Sequence, residues 1–276
     1  MMSEAESSSE VSDQESIIMP EIGEMDIDHF VIGGCGSLTR CYLEVGGTVC
    51  TGFDIGWVST LKIRLYYYNT LVGEITSPNM PVIPDSDNYW KTEWPENADP
   101  TTMRIKSMVG FKNFFCDIMP KEDPDNERGL QKDHTATLRV SPSGHRLTIS
   151  IDLARMPRMR TTIKSLKISG KQIKISMIIT NPSPLTLEAD PSCFFTLKKG
   201  QDTIGELSAI FEISPGETEC LFQGTIRRGV SGVVTLKGSH YESFEMDETW
   251  QQHVIKLFEV EINLDEFIVK TNGNGK

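Results

Sequence analysis

The sequence predicts an all-β fold, a β-sandwich or barrel built from two related modules, and three observations carry the prediction. Apolar and polar residues alternate at period two in four separate runs. The sequence has no succession of amphipathic helical runs of about 10 to 15 residues, which a large helical layer would need. Two hairpin-like segments also resemble one another at a fixed offset of 132 positions.

In chain order, residues 1–28 come first. They hold nine acids and no Lys or Arg, and no aromatic residue precedes Phe30. Like charges with little apolar area cannot offset the entropy of ordering, so this segment is expected to be a disordered acidic tail. Residues 29–153 read as a first, divergent β-sandwich module. In it Leu61, Ile63, Leu65 and Tyr67 share one face of a half-buried strand. Residues 81–133 repeat Pro, Asp, Asn and Glu and read as acidic loop insertions. Between them the apolar island at 108–119 is expected to be a strand anchored by Phe111, Phe114 and Phe115. Residues 146–153 alternate again before Met156-Pro157-Arg158 interrupts, which puts a boundary in 154–162.

Residues 163–270 read as a second module. Ile173, Ile175, Met177 and Ile179 share one strand face, as do Phe258, Val260, Ile262 and Leu264, with residues 247–257 suited to a short helix between. The internal likeness links the modules. Ile63, Leu65, Val72, Gly73, Glu74 and Ile75 correspond to Phe195, Leu197, Ile204, Gly205, Glu206 and Leu207. Each set reads as an apolar strand, a polar turn and an aliphatic-Gly-Glu-aliphatic start, with Gly73 and Gly205 at constrained backbone positions.

The formal net charge of -12 belongs mostly to the tail, because the remaining residues hold 27 basic and 30 acidic side chains. Neither a secretory leader nor a membrane-spanning apolar run is legible, so the cytoplasm is the expected location, with the nucleus as the alternative. The cysteines, Cys35, Cys41, Cys50, Cys116, Cys193 and Cys220, are widely spaced and are expected to be reduced thiols.

Ile179-Thr180-Asn181-Pro182-Ser183-Pro184-Leu185-Thr186-Leu187 is followed by an apolar run from Cys193 to Leu197, a turn at Gly200 and Ile204-Gly205-Glu206-Leu207. This stretch, about residues 173–232, resembles the LEA-14-like, or water-stress and hypersensitive-response, domain. The resemblance implies an immunoglobulin/fibronectin-like sandwich of seven strands, no conserved catalytic centre and a stress-associated role. Independently of it, proline restricts the preceding residue to extended backbone and cannot donate to a central ladder. Asn181 is therefore expected to close a strand and Pro182 to redirect it.

No motif announces chemistry. CxxC, HExxH, the Gly-x-Ser-x-Gly elbow, the phosphate-cradling GxxxxGK[ST] and the EF-hand pattern are all missing, so no catalytic residue, metal or cofactor is expected. The informative feature is a basic run. From Leu153 to Leu187 there is no acid, while Arg155, Arg158, Arg160, Lys164, Lys167, Lys171 and Lys174 contribute seven positive charges. Such a field suits an acidic protein or an anionic membrane surface. Nucleic acid is less favoured, because the run has no aromatic residue on which bases would stack. The expected function is a non-enzymatic, stress-associated or protein-interaction module that could also self-associate. The alternatives are a capsid-like or nucleoprotein assembly protein and an all-β hydrolase with a non-local site.

Overall fold

The structure is a computed structural model that describes residues 24–34, 37–50, 60–79, 82–86, 89–92, 102–121, 136–142, 149–152, 158–242 and 249–268. Strands dominate it. The first nine are β1 (Glu24–Gly33), β2 (Arg40–Cys50), β3 (Leu61–Tyr67), β4 (Thr70–Thr76), β5 (Val82–Ser86), β6 (Tyr89–Thr92), β7 (Thr102–Ile105), β8 (Ala136–Pro142) and β9 (Ile149–Asp152). After them come β10 (Arg160–Ser169), β11 (Gln172–Asn181), β12 (Leu185–Lys199), β13 (Asp202–Ile213), β14 (Gly216–Ile226), β15 (Val233–Glu242) and β16 (Glu259–Asn263). Three helices accompany them: α1 (Met108–Ile118), α2 (Trp250–Ile255) and α3 (Asp265–Ile268).

Pairing follows one order twice. β1-β2-β7-β4-β3-β8-β9 neighbour one another in that order, and β10-β11-β14-β13-β12-β15-β16 repeat it strand for strand. β5 and β6 form a hairpin that adds to β2. The two series join where β1 runs parallel to the start of β12, Phe30 beside Leu185 and Ile32 beside Leu187. The segments alike in sequence are also alike in register. Leu65 lies opposite Gly73 and Ile63 opposite Ile75 in the β3–β4 hairpin, as Leu197 lies opposite Gly205 and Phe195 opposite Leu207 in β12–β13. A register shift follows Leu65 in one hairpin and Leu197 in the other.

Alternation decides which faces are buried. In β3, Leu61, Ile63, Leu65 and Tyr67 are buried while Lys62, Arg64 and Tyr66 stay half-exposed. The second series curls around Phe195, Phe211, Phe222 and Phe258, whose ring centroids stand 4.8–5.9 Å apart in mostly tilted and edge-to-face pairs. Its end strands β10 and β16 approach each other, with Thr162, Ile163, Glu261, Ile262 and Phe267 lining the narrow opening between them.

Two expectations are corrected. Residues 108–119 are not a strand, because 108–118 form α1. Phe111, Phe114, Phe115 and Ile118 recur at helical spacing on its buried face, and the Ser107 side chain accepts from the Gly110 N–H as an N-cap. The expected tail at 1–28 is also too long, since 24–28 belong to β1, while 1–23 lie outside the described residues. A bulge between Ile27 and His29 breaks the alternation, so Ile27 and the pair Phe30 and Ile32 do not read as one period. The short helix expected within 247–257 is α2. Of the expected boundary, 154–157 lie outside the described residues and 160–162 begin β10.

Helices α1 and α2 bring the two series together. Trp250 stacks on Phe115 and meets Phe111 edge-on. The Ile118 carbonyl accepts from Met159 N–H at 2.9 Å, and the Pro120 carbonyl from Glu259 N–H at 3.0 Å. Tyr67 of β3 donates its hydroxyl to the Asp117 carboxylate, tying α1 to the first series.

Candidate anion-binding cleft

The basic run does not fold into one patch. Arg155 lies outside the described residues. Arg158 is half-buried and donates from Nη2 to the Cys116 carbonyl at 3.4 Å, so it braces α1 rather than facing solvent. Arg160 opens β10, exposed, opposite Thr180. Lys164 pairs with Glu219 at 2.5 Å. Hydrogen bonds from Lys164 and from Ser176 Oγ hold the Glu219 carboxyl below its ordinary value. Lys167 and Lys174 are cross-strand neighbours, both exposed. Lys171 sits in the turn between β10 and β11, where its carbonyl accepts from Ile226 N–H at 2.8 Å.

Lys167 leads to the site. It lines a cleft of about 760 Å³ at one end of the curled second series, with Ser169 and Gly170 of the β10–β11 turn, the 227–231 loop and Phe267 of α3. Leu166, Ile168, Ile226, Val230 and Phe267 give it apolar walls. Lys167, Arg227 and Arg228 supply cationic lips, and Lys171 stands beside them in the turn. The loop is held from both sides. Arg227 N–H donates to the Ile204 carbonyl at 2.7 Å, Lys199 Nζ to the Ser231 carbonyl at 2.8 Å and Gly232 N–H to Asp265 Oδ1 at 3.0 Å.

Sequence reasoning missed Arg227, Arg228 and Phe267. The pairing of β11 with β14 brings Ile226, the residue before the Arg227-Arg228 doublet, onto Lys171, a neighbour that no local run reveals. The Arg227-Arg228-Gly229 doublet was the available signal.

The four turn positions singled out in the sequence lie elsewhere. Asn181 ends β11, buried; its Nδ2 donates to the Leu185 carbonyl at 2.6 Å, and its Oδ1 accepts from Ser183 N and Oγ. Pro182 follows it, exposed, at the corner into β12. Gly73 and Gly205 are not in turns: Gly73 lies inside β4, backed onto Met103, and Gly205 inside β13, backed onto the backbone of Thr225, so close packing rather than a turn conformation constrains them. Among the described residues Cys41, Cys116, Cys193 and Cys220 are joined by no disulfide. Among the described residues no group of three His, Cys, Asp or Glu side chains is placed to hold a metal ion, and no helix is long and apolar enough to cross a membrane.

The chain matches no family model and no curated protein. Among solved structures it is similar to red sea bream transglutaminase, with 12% identity and a TM-score of 0.23, over 87% of this chain and 31% of that one. The chain thus spans about a third of that protein's length, and so loose an overlap carries no argument about fold or chemistry.

Proposed function

We propose that this protein is a non-enzymatic interaction module, built from two related β-sandwich units, that docks on an anionic membrane surface through the basic end of its second unit. The observation that carries the reading is the cleft, where Lys167, Arg227 and Arg228 surround apolar walls. Lysine and arginine side chains near an anionic bilayer each contribute about 1 kcal/mol. Apolar side chains among them suit the boundary between headgroups and acyl chains better than an acidic protein face. The anionic leaflet that such a surface meets is cytoplasmic, which fits the expected location. The twice-used pairing order supports the two-unit part of the proposal. The LEA-14-like reading of 173–232 rests on the Asn181-Pro182 corner and the following hairpin alone.

Vesicle co-sedimentation tests it. Wild type should bind vesicles containing phosphatidylserine and leave neutral phosphatidylcholine vesicles, with binding that weakens as salt rises. The double variant Lys167→Gln, Arg228→Gln should lose about 2 kcal/mol, roughly thirty-fold in partitioning. Equal binding to both vesicle types, an unaffected variant, or tight sequence-selective binding of an RNA oligonucleotide would each refute it.

A further inference from the structure

The β13–β14 hairpin is paired at one end only. Rungs run from Gly205 opposite Ile226 to Ser208 opposite Gln223 and stop there, although both strands continue toward their shared turn. Past that point β13 pairs with β12, from Ala209 opposite Cys193 to Ile213 opposite Leu187. β14 pairs instead with β11, from Leu221 opposite Ser176 to Gly216 opposite Asn181. The strands therefore part into different walls, and each is left with an edge that has no strand neighbour among the described residues. A cleft of about 730 Å³ lies between them, lined by Ser208, Ile210 and Glu212 on one side and Thr218, Glu219 and Leu221 on the other.

Backbone direction can be followed along β13. The Ile204 carbonyl accepts from Arg227 N–H, so it points toward β14. Alternation along an antiparallel strand sends the N–H and C=O of Ile210 and Glu212 the same way, into the cleft. The side chains beside them are unusual for a surface: Ile210 is 69% exposed and Leu221 45%. The rim is acidic. Glu212 lies opposite Glu188 across the β12 rung, and Glu217 is exposed on β14. Lys164 neutralises Glu219, but among the described residues no cation stands within ion-pair distance of Glu212 or Glu217.

We infer that the free β13 edge from Ala209 to Ile213 accepts an added strand, an extended partner peptide in which Lys or Arg alternates with aliphatic residues. Five residues at about 3.3 Å each offer roughly 17 Å of edge, enough for one short strand. Main-chain hydrogen bonds supply affinity in such additions, and alternate side chains supply specificity. Ile210, Glu212, Glu217 and Leu221 share the outer face, so the basic residues would lie outward, their charges beside Glu212 and Glu217 and their stems along Ile210 and Leu221, while the aliphatic residues between them turn inward toward Ala209 and Cys220, which also line the cleft. Charge argues against a second copy of this chain as occupant, because its own free β13 edge would bring Glu212 against the same acids and carries no Lys or Arg. The site is separate from the basic cleft, which lies at the opposite, paired end of β14.

The probe is a fluorescein-labelled nine-residue peptide of alternating Lys and Val, measured by anisotropy against the whole protein. Two companions control it, a Glu-Val peptide and a Lys-Val peptide N-methylated along one edge. The unmodified Lys-Val peptide should bind at least about ten-fold more tightly than either, since each lost backbone bond and each reversed charge weakens the complex. On binding, the amides of Ile210 and Glu212 should exchange more slowly. Ile210→Pro removes a cleft-facing N–H at an edge position where proline is tolerated, and should abolish binding with the melting curve unchanged. Glu212→Lys is the second variant and should reverse the preference toward the Glu-Val peptide. Equal binding of the N-methylated peptide, unprotected amides, or no binding of the Lys-Val peptide would overturn the inference.

Discussion

Replacing Gly205 by alanine should cost far more than the same change at Gly73, although the two residues hold matching positions in matching hairpins. A Cβ on Gly205 would stand 2.5 Å from the Thr225 carbonyl oxygen and 3.3 Å from Ile226 Cα, both backbone atoms of β14. Ordinary contact begins near 3.4 Å, so β13 and β14 would have to separate by about 0.9 Å at this rung. That separation stretches the few rungs holding the hairpin together, from Gly205 opposite Ile226 to Ser208 opposite Gln223, and the Arg227 N–H bond to the Ile204 carbonyl. Two weakened hydrogen bonds at roughly 1 kcal/mol each, with overpacking added, give about 2 to 3 kcal/mol. At Gly73 the three atoms nearest such a Cβ all belong to the Met103 side chain, at 2.7 to 3.0 Å. Methionine is unbranched and adaptable, and alanine restricts the unfolded chain relative to glycine, so about 1 kcal/mol or less is expected. Urea unfolding of both variants, with Ser208→Ala as reference, measures the difference. Hydrogen exchange at Arg227 shows whether the rung opens. If Gly205→Ala were no more destabilising than Gly73→Ala, the argument from backbone contact would be wrong.

Two further expectations concern protonation. The Glu74 carboxyl is held below its ordinary value near 4.5 by its hydrogen bond to Lys106 and then by the charges of Lys106, Lys62 and Arg64, with Lys106 Nζ at 2.7 Å. Its contribution to stability is present above pH 4.5 and is lost as pH falls through the lowered folded value. Glu74→Gln should therefore narrow the stability difference between pH 7 and pH 3 in denaturant titrations. Burial pushes the Cys193 thiol up to about 12 and the Cys220 thiol up to about 11, from 9.0. Their contribution is complete below pH 9 and is lost as pH rises through those folded values. At pH 8 the folded protein should be alkylated by iodoacetamide at Cys116, which is half-buried, well before Cys193 or Cys220, as mass spectrometry of digests reads directly. Equal labelling of the three would contradict the burial argument.

The strands were legible because one side of each meets the core and the other meets water, so β3, β11 and β16 show their burial in the alternation itself. The repeated hairpin was legible for a second reason. A tight turn fixes register, and register fixes which residue must be small opposite Leu65 and Leu197. Helix α1 was not, because Phe111, Phe114 and Phe115 sit among turn-forming residues and were read by composition rather than spacing. The cleft was half legible. Lys167 and Lys171 belong to a basic run, but Arg227 and Arg228 reach them only through the β11–β14 pairing, a long-range contact that no local pattern encodes.

The repeated pairing order also explains why the cleft lies in the second series and not in the first. β7 and β14 hold equivalent places in the order, as do β8 and β15, so the connection from β7 to β8 corresponds to the one from β14 to β15. In the first series the start of that connection is α1, whose phenylalanines are spent on the core and on Trp250 of α2. In the second it is a loop of six residues, Arg227 to Gly232, which brings Val230 and two arginines to the cleft in place of a phenylalanine-rich helix. The same topological position is thus filled by packing once and left open once, with arginines at its mouth. Half-buried apolar side chains, Ile168, Val230 and Phe267, bordered by fixed positive charge are what the proposed docking on an anionic bilayer requires, because such a surface can bury apolar area and meet cations together.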